Sequence, residues 1–459
     1  MLGSDWESFE AAAMRVRILD HSDFIRWRGV AYDLDSSIFR SLASAAQGLG
    51  RPALLPRLQQ LTWKISNNDI FPYLSLFLSP TIANLTVYIT TGSITSTRAR
   101  FSLFTSLASQ CSSIPSVNLR ALGCVTHSWR DLFSGCSSTA NASFGLWAGL
   151  GSLTLYCMDL SALTDDLARL PVLTTLVLND CRKIDPALPS AVKGFPMLRY
   201  LDVYSSNIDS CLHILQRMSC TPLIRLNLRI AGTSCESQWV ELFSILPNGI
   251  SRDTLTTLRF SSPAHGHPVP LRFQTISPLL QFRCISHLTC ARDDSAGLNA
   301  GLDLDDSDVA CIAKAWPCLK LISICPPGSA PSRLTLRALI PFADYCPELE
   351  DLSMKMNATA FELNDYEEKP GKGCGRLWRL HVFDSPIDNQ ACVAAFISDI
   401  FPNVRRISSI FGAHERKPRR KWYEVKRNAP LFAAVRRQEA NRKISCLTCQ
   451  PPKMEAFVG

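Results

Sequence analysis

One spacing recurs along the chain and restricts its fold more than any other feature: an apolar residue followed by apolar residues three and five positions on. The stretch LPVLTTLVLNDC (170–181) carries it as Leu173/Leu176/Leu178. Leu176 and Leu178 alternate as a half-buried strand requires, because successive side chains on a strand point to opposite faces. Leu173 falls outside that period, so the chain bends just ahead of a very short strand. The spacing returns at Leu198/Leu201/Val203, Leu223/Leu226/Leu228, Leu255/Leu258/Phe260, Ile285/Leu288/Cys290, Leu319/Ile322/Ile324, Leu349/Leu352/Met354, Leu377/Leu380/Val382 and Val404/Ile407. Upstream it is found at Leu58/Leu61/Trp63, Ile82/Leu85/Val87, Ile114/Val117/Leu119 and Leu150/Leu153/Leu155, with Ala13/Val16/Ile18 as a faint first member. These make about 14 units, most of them roughly 23 to 36 residues apart, a period that marks a repeat architecture.

Proline gives an independent check. Pro56, Pro171, Pro196, Pro317, Pro347 and Pro402 each stand two residues before the first apolar residue of a unit. Proline lacks an amide proton and breaks a helix interior, so it marks the point where a helix has ended and the chain turns toward the next strand. Helix-like stretches precede four of them: 163–170, 306–316, 339–346 and 392–401. Eight residues after the first apolar residue come Cys181, Ser206, Asp293, Asn357 and Ser385, polar or small side chains suited to turning the chain away from the strand.

Strand, turn, helix and return turn at this period predict an α/β leucine-rich-repeat solenoid, a ribonuclease-inhibitor-like horseshoe with parallel strands on the concave face and helices on the convex face. Residues 1–57 are read as an N-terminal cap with a first irregular repeat, 58–413 as the solenoid, and 414–459 as a basic C-terminal cap and flexible tail. Parallel strands lie about 4.8 Å apart, so about 14 of them span on the order of 65 Å, a surface suited to a macromolecule. The formal net charge is +8, and from His414 onward 12 Lys/Arg face 4 Asp/Glu, so the rest of the chain is balanced. The cluster RKPRRKWYEVKR (416–427) is read as a cap, with Trp422, Tyr423 and Val425 covering the last repeat.

Several function classes find no support. Ile70–Thr97 and Leu132–Met158 carry no charge, but prolines, asparagines and glycines interrupt them, so membrane spanning is not predicted. The N-terminus has early acidic residues and no continuous apolar core, unlike a secretory leader. An intracellular protein, cytoplasmic or nuclear, is expected, with its 18 cysteines as reduced thiols. Cys446 and Cys449 form a lone CxxC without further ligands at zinc spacing, and His265/His267 sit in a Pro-rich loop. The acidic run 303–308 lacks the glycine and closing glutamate of a calcium loop and reads as a helix N-cap. No phosphate loop, nucleophile elbow or HExxH occurs, so no catalytic residue, cofactor or metal is predicted.

On a strand whose leucines point inward, the alternate side chains face out, and these are the candidate contacts of a protein partner on the concave face. They are Thr175, Val177 and Asn179; Tyr200, Asp202 and Tyr204; and Arg225, Asn227 and Arg229. Later units offer Asp351, Ser353 and Lys355, then Arg379, His381 and Phe383. Tyr and Arg are enriched at binding hot spots, which singles out the central group.

The irregular repeats, with openings such as DWESFEAAAMRVRIL (5–19), LLPRLQQLTW (54–63) and FPYLSLFLSPTIANLTV (71–87), resemble the F-box proteins with leucine-rich repeats of mushroom-forming fungi. That resemblance runs from Asp5 to about Phe432. It implies a non-catalytic protein whose repeats hold the target of an SCF-type ubiquitin ligase. In that family an F-box ahead of the repeats docks on a Skp-type adaptor. Residues 1–50 lack the Leu-Pro-rich opening of an F-box, so the adaptor is expected as a partner only where an F-box lies upstream. The alternative is a repeat-only scaffold or inhibitor with no ligase link. A monomer is expected, and nucleic acid is not predicted as the partner.

Overall fold

A strand that buries one face and exposes the other needs partners on both sides, and a repeating chain supplies them from its own neighbouring coils. In a computed structural model of the chain, the described residues are 3–21, 36–48, 50, 53–65, 71–90, 114–122, 149–156, 167–181, 193–232, 234–261, 269–290, 300–324, 331–361, 375–409 and 416–448. The chain divides into two compact units, Met1–Gly266 and His267–Gly459.

Among the described residues of the first unit, nine strands follow one another in chain order: β1 (Ile18–His21), β2 (Gln60–Ile65), β3 (Asn84–Thr90), β4 (Ser116–Leu122), β5 (Ser152–Tyr156), β6 (Thr175–Cys181), β7 (Tyr200–Ser205), β8 (Arg225–Ile230) and β9 (Thr257–Ser261). All neighbours pair in parallel, with the leucine positions in register: Leu176 lies opposite Leu201, and Leu201 opposite Leu226. The inward residues are sealed; Leu173, Leu176, Leu198, Leu201, Leu223 and Leu226 are each 0% exposed. Burying one such side chain stabilises the fold by about 1.5–3 kcal/mol, before conformational entropy is counted against it. The segment 71–90, apolar in sequence, is a 3-10 helix (Phe71–Phe77) leading into β3, and no helix among the described residues is long and apolar enough to cross a membrane.

The second unit holds five parallel strands of the same kind: β11 (His287–Cys290), β13 (Leu321–Ile324), β14 (Asp351–Met354), β15 (Arg379–His381) and β16 (Arg406–Ser408). A separate parallel pair, β10 (Val269–Leu271) with β12 (Ala300–Leu302), was not legible in the spacing of the leucines. The strands of the two units thus account for the predicted leucine triplets from Leu58/Leu61/Trp63 onward, and the leucine-rich-repeat solenoid is the observed fold of each unit.

One main-chain device hands each coil to the next. A carbonyl just ahead of a strand accepts two N–H groups from the following coil: the Thr174 carbonyl takes Arg199 and Tyr200, and the Arg199 carbonyl takes Ile224 and Arg225. In the second unit the Lys320 carbonyl takes Glu350 and Asp351, and the Glu350 carbonyl takes Trp378 and Arg379. Backbone groups turned inward at the bend are thereby paired rather than left dry.

Three helices form where the sequence places them, and the first half of the fourth predicted stretch, 163–170, lies outside the described residues. Asp306–Ala315, Leu339–Tyr345 and Gln390–Ile400 each end just ahead of the proline that marks the return turn. The acidic run opens the first of these as an N-cap: Asp305 accepts hydrogen bonds from the Ser307 and Asp308 amides, and the Asp308 side chain accepts the Asp305 amide in return. The last helix, Arg416–Thr448, lies against Gln390–Ile400 and β16. Trp422 and Val425 are buried there, and the Trp422 indole donates to the Ser385 carbonyl at 2.8 Å. Tyr423, read as a third covering residue, is instead 64% exposed, because one helix turn cannot aim residues 422, 423 and 425 at the same neighbour.

Three other expectations change. Ala13/Val16/Ile18 is not the first triplet: Leu19, not Ile18, pairs with the inward Leu61, and Ile18 is 62% exposed. A register irregularity between Asn179 and Cys181 sets Cys181 opposite Ser205, and it is Ser205, not Ser206, that is buried and accepts the Asn207 amide at the turn. Lys355 does not face a partner; it lies past the end of β14, buried. His265, His267 and Cys449 lie outside the described residues.

Candidate protein-binding face

Because β6, β7 and β8 pair in register, their outward side chains form rows across the strands. Thr175, Tyr200 and Arg225 make one row, Val177, Asp202 and Asn227 the second, and Asn179, Tyr204 and Arg229 the third. The Arg225 guanidinium sits 5.8 Å from the Tyr200 ring centroid, and that of Arg229 sits 5.9 Å from the Tyr204 ring. Each cation–π pair contributes about 0.5–1 kcal/mol at an exposed site. Its larger consequence is positional, since a guanidinium held against a ring keeps its N–H edge for a carboxylate of a partner. Tyr200 and Tyr204 are among the few large aromatic side chains left in the open. Between them, one carboxylate oxygen of Asp202 is buried without a hydrogen-bond donor among the described residues.

The third row continues along the unit. Register aligns Lys64, Tyr88, Arg120, Tyr156, Asn179, Tyr204 and Arg229 across β2 to β8, so tyrosines alternate with basic positions over much of its length. Tyr88 and Tyr156 were missed in the sequence, although each directly follows, or stands in place beyond, the last inward residue of its triplet, the same offset as Tyr204 and Arg229. Among the described side chains on β7 to β9, the outward Arg225, Arg229 and Arg259 outnumber the outward acidic Asp202.

The residues singled out in the second unit behave differently. Arg379 donates to the Asp351 carboxylate at 3.2 Å from the neighbouring strand, so its charge is already matched. Burial raises the Asp351 carboxyl above its ordinary range, and the Arg379 guanidinium pulls it back. His381 is outward on β15 and its ring meets Phe383 edge-on at 4.3 Å. Phe383 is not on the strand; it occupies the following turn at φ 50°, a left-handed conformation that few aromatic residues adopt.

Among the described residues no group of three or more His, Cys, Asp or Glu is placed to hold a metal ion. The buried Cys211 thiol is pushed up to about 12 by desolvation, with Asp209 adding to the effect, so it packs as an apolar group. The outward side chains of β6 to β8 thus present polar, aromatic and basic groups in register on neighbouring strands.

No family model matches the chain, and no curated protein does. Among solved structures it is similar to the crystal structure of the Rad7 and Elc1 complex in yeast, at 14% sequence identity, with 89% of this chain and 90% of that chain covered and a TM-score of 0.33. The assignment of the repeat fold rests on the strand register and the buried leucine rows of this chain.

Proposed function

We propose that this protein is a non-catalytic binding protein that holds another protein on the open strand face of its first unit, around Tyr200, Tyr204, Arg225 and Arg229. The observation that carries the reading is the pair of cation–π contacts, which pre-orders two guanidinium groups and two exposed rings on adjacent strands. Pre-ordered Tyr and Arg side chains are the composition in which binding energy concentrates, since little rotamer entropy is lost on contact. The outward positions Thr175, Asn179, Asp202 and Asn227 belong to the same patch. Arg379, His381 and Phe383 form a second, weaker candidate patch, because Arg379 is neutralised by Asp351.

The finer reading, supported by the resemblance to fungal F-box proteins with leucine-rich repeats, is that the bound protein is the target of an SCF-type ubiquitin ligase. Affinity purification of the full-length gene product from its own organism tests both levels. Loss of a common protein partner on changing Tyr200 and Tyr204, or Arg225 and Arg229, to alanine supports the central face. An unchanged partner list moves the site elsewhere. Co-purification of a Skp-type adaptor and a cullin supports the ligase reading, and their absence leaves a scaffold or inhibitor.

A further inference from the structure

Where the second unit ends, a cavity of about 540 Å³ opens between β16 and the helix Arg416–Thr448. Arg406 of the strand and Arg419, Arg420 and Lys426 of the helix line it, and no carboxylate does. Arg420 is partly offset by Glu424 at 3.6 Å. Arg406, Arg419 and Lys426 have no ion-pair partner within salt-bridge distance among the described residues. The Ser408 hydroxyl, which also lines the cavity, is buried without a hydrogen-bond partner there. An anion placed among these cations would gain their attraction and give the unpaired hydroxyl an acceptor, so the arrangement points to an anionic ligand.

The spacing says what kind. Arg419, Tyr423 and Lys426 stand at i, i+4 and i+7, on one face of the helix. Seven residues of helix advance about 10 Å, farther than one phosphate or sulfate reaches. A cavity of this size falls within the range of small-molecule sites. We propose that this cleft binds a small soluble polyphosphate, with Arg406 and Arg419 at one phosphate, Lys426 at another, Ser408 donating a hydrogen bond and the exposed Tyr423 ring flanking the ligand. This site lies in the second unit and does not rest on the protein-binding reading above.

Isothermal titration of the whole chain with tripolyphosphate tests it. The expected result is one site per chain, binding at least tenfold weaker for orthophosphate, and at least tenfold weaker for Arg419→Ala/Lys426→Ala. Arg442→Ala, farther along the same helix, is expected to bind as the parent does. Circular dichroism melts verify that the variants fold, and Arg419→Gln and Lys426→Gln, each expected to bind at least threefold more weakly, replace the double variant if its melt is lowered. No binding, binding unchanged by these substitutions, or equal affinity for orthophosphate would overturn the proposal. A 15-nucleotide single strand that binds more tightly than tripolyphosphate and is lost in the same variants would also overturn it, in favour of a nucleic-acid site.

Discussion

Lys355 places its Nζ 2.9 Å from a carboxylate oxygen of Asp384, 29 residues away on the next coil, with only 6% of the lysine side chain exposed and 37% of the aspartate. A buried ammonium is tolerated only while its counter-ion is present. Asp384→Ala is therefore expected to lower stability by about 3 kcal/mol, and Lys355→Met to change it by less than about 1 kcal/mol, because the second removes the charge along with its need. Urea unfolding of the two variants measures the difference. Equal losses would mean that the pair contributes packing and not charge.

Gly194 lets one coil approach the next closely. A Cβ there would lie 2.1 Å from the Ala168 carbonyl oxygen, which is backbone and cannot swing aside. Gly194→Ala is expected to cost more than about 2 kcal/mol, with a lowered thermal midpoint. Gly48, whose Cβ would meet nothing within 4 Å, serves as the control, and its alanine variant is expected within about 1 kcal/mol of the parent.

Asp305 joins the cap of its helix to charge. The Ser307 side chain, then the Asp308 amide, hold its carboxyl below the usual carboxylate value, with Arg333 at 3.1 Å adding to the effect. A depressed folded pKa contributes stability that is present above the unfolded value, near pH 4, and is lost as pH falls through the folded value. Asp305→Ala is expected to cost about 1 kcal/mol at pH 7, the usual loss of an N-cap, and progressively less as the pH drops below about 4. Melts of parent and variant at pH 7 and pH 3 read this directly. A deficit that stays constant over that range contradicts the charge argument.

At the C-terminal helix, Trp422→Ala removes a fully buried indole and leaves the Ser385 carbonyl without its donor. The expected loss is about 3–5 kcal/mol. Tyr423→Ala, one residue on but on the open side, is expected within about 0.5 kcal/mol of the parent.

On the open face of the first unit, Tyr200→Ala and Tyr204→Ala are expected to leave the melting temperature almost unchanged, since each forfeits only an exposed cation–π contact of about 0.5–1 kcal/mol. Against the purified partner each is expected to weaken binding by about 2 kcal/mol, roughly thirtyfold. A stability loss as large as the binding loss would make these tyrosines structural.

The strands were legible in the sequence because the inward period is a local property: Leu201 and Val203 point the same way whatever surrounds them. The prolines and the Asp305 cap are local in the same sense, and the helices they bound appear where the sequence puts them. The outward face was legible only as a set of positions. Which of its members remain available depended on contacts 28 or 29 residues distant: Asp384 takes Lys355 out of the surface, and Asp351 neutralises Arg379. Register, which sets Leu19 rather than Ile18 opposite the inward Leu61, also sets Arg225 beside Tyr200 and brings Tyr88 and Tyr156 into the row of Tyr204. The offset from each triplet names the row a residue belongs to, but which coils become neighbours and how closely their side chains meet depends on how one coil stacks upon the next, across intervening loops of varying length.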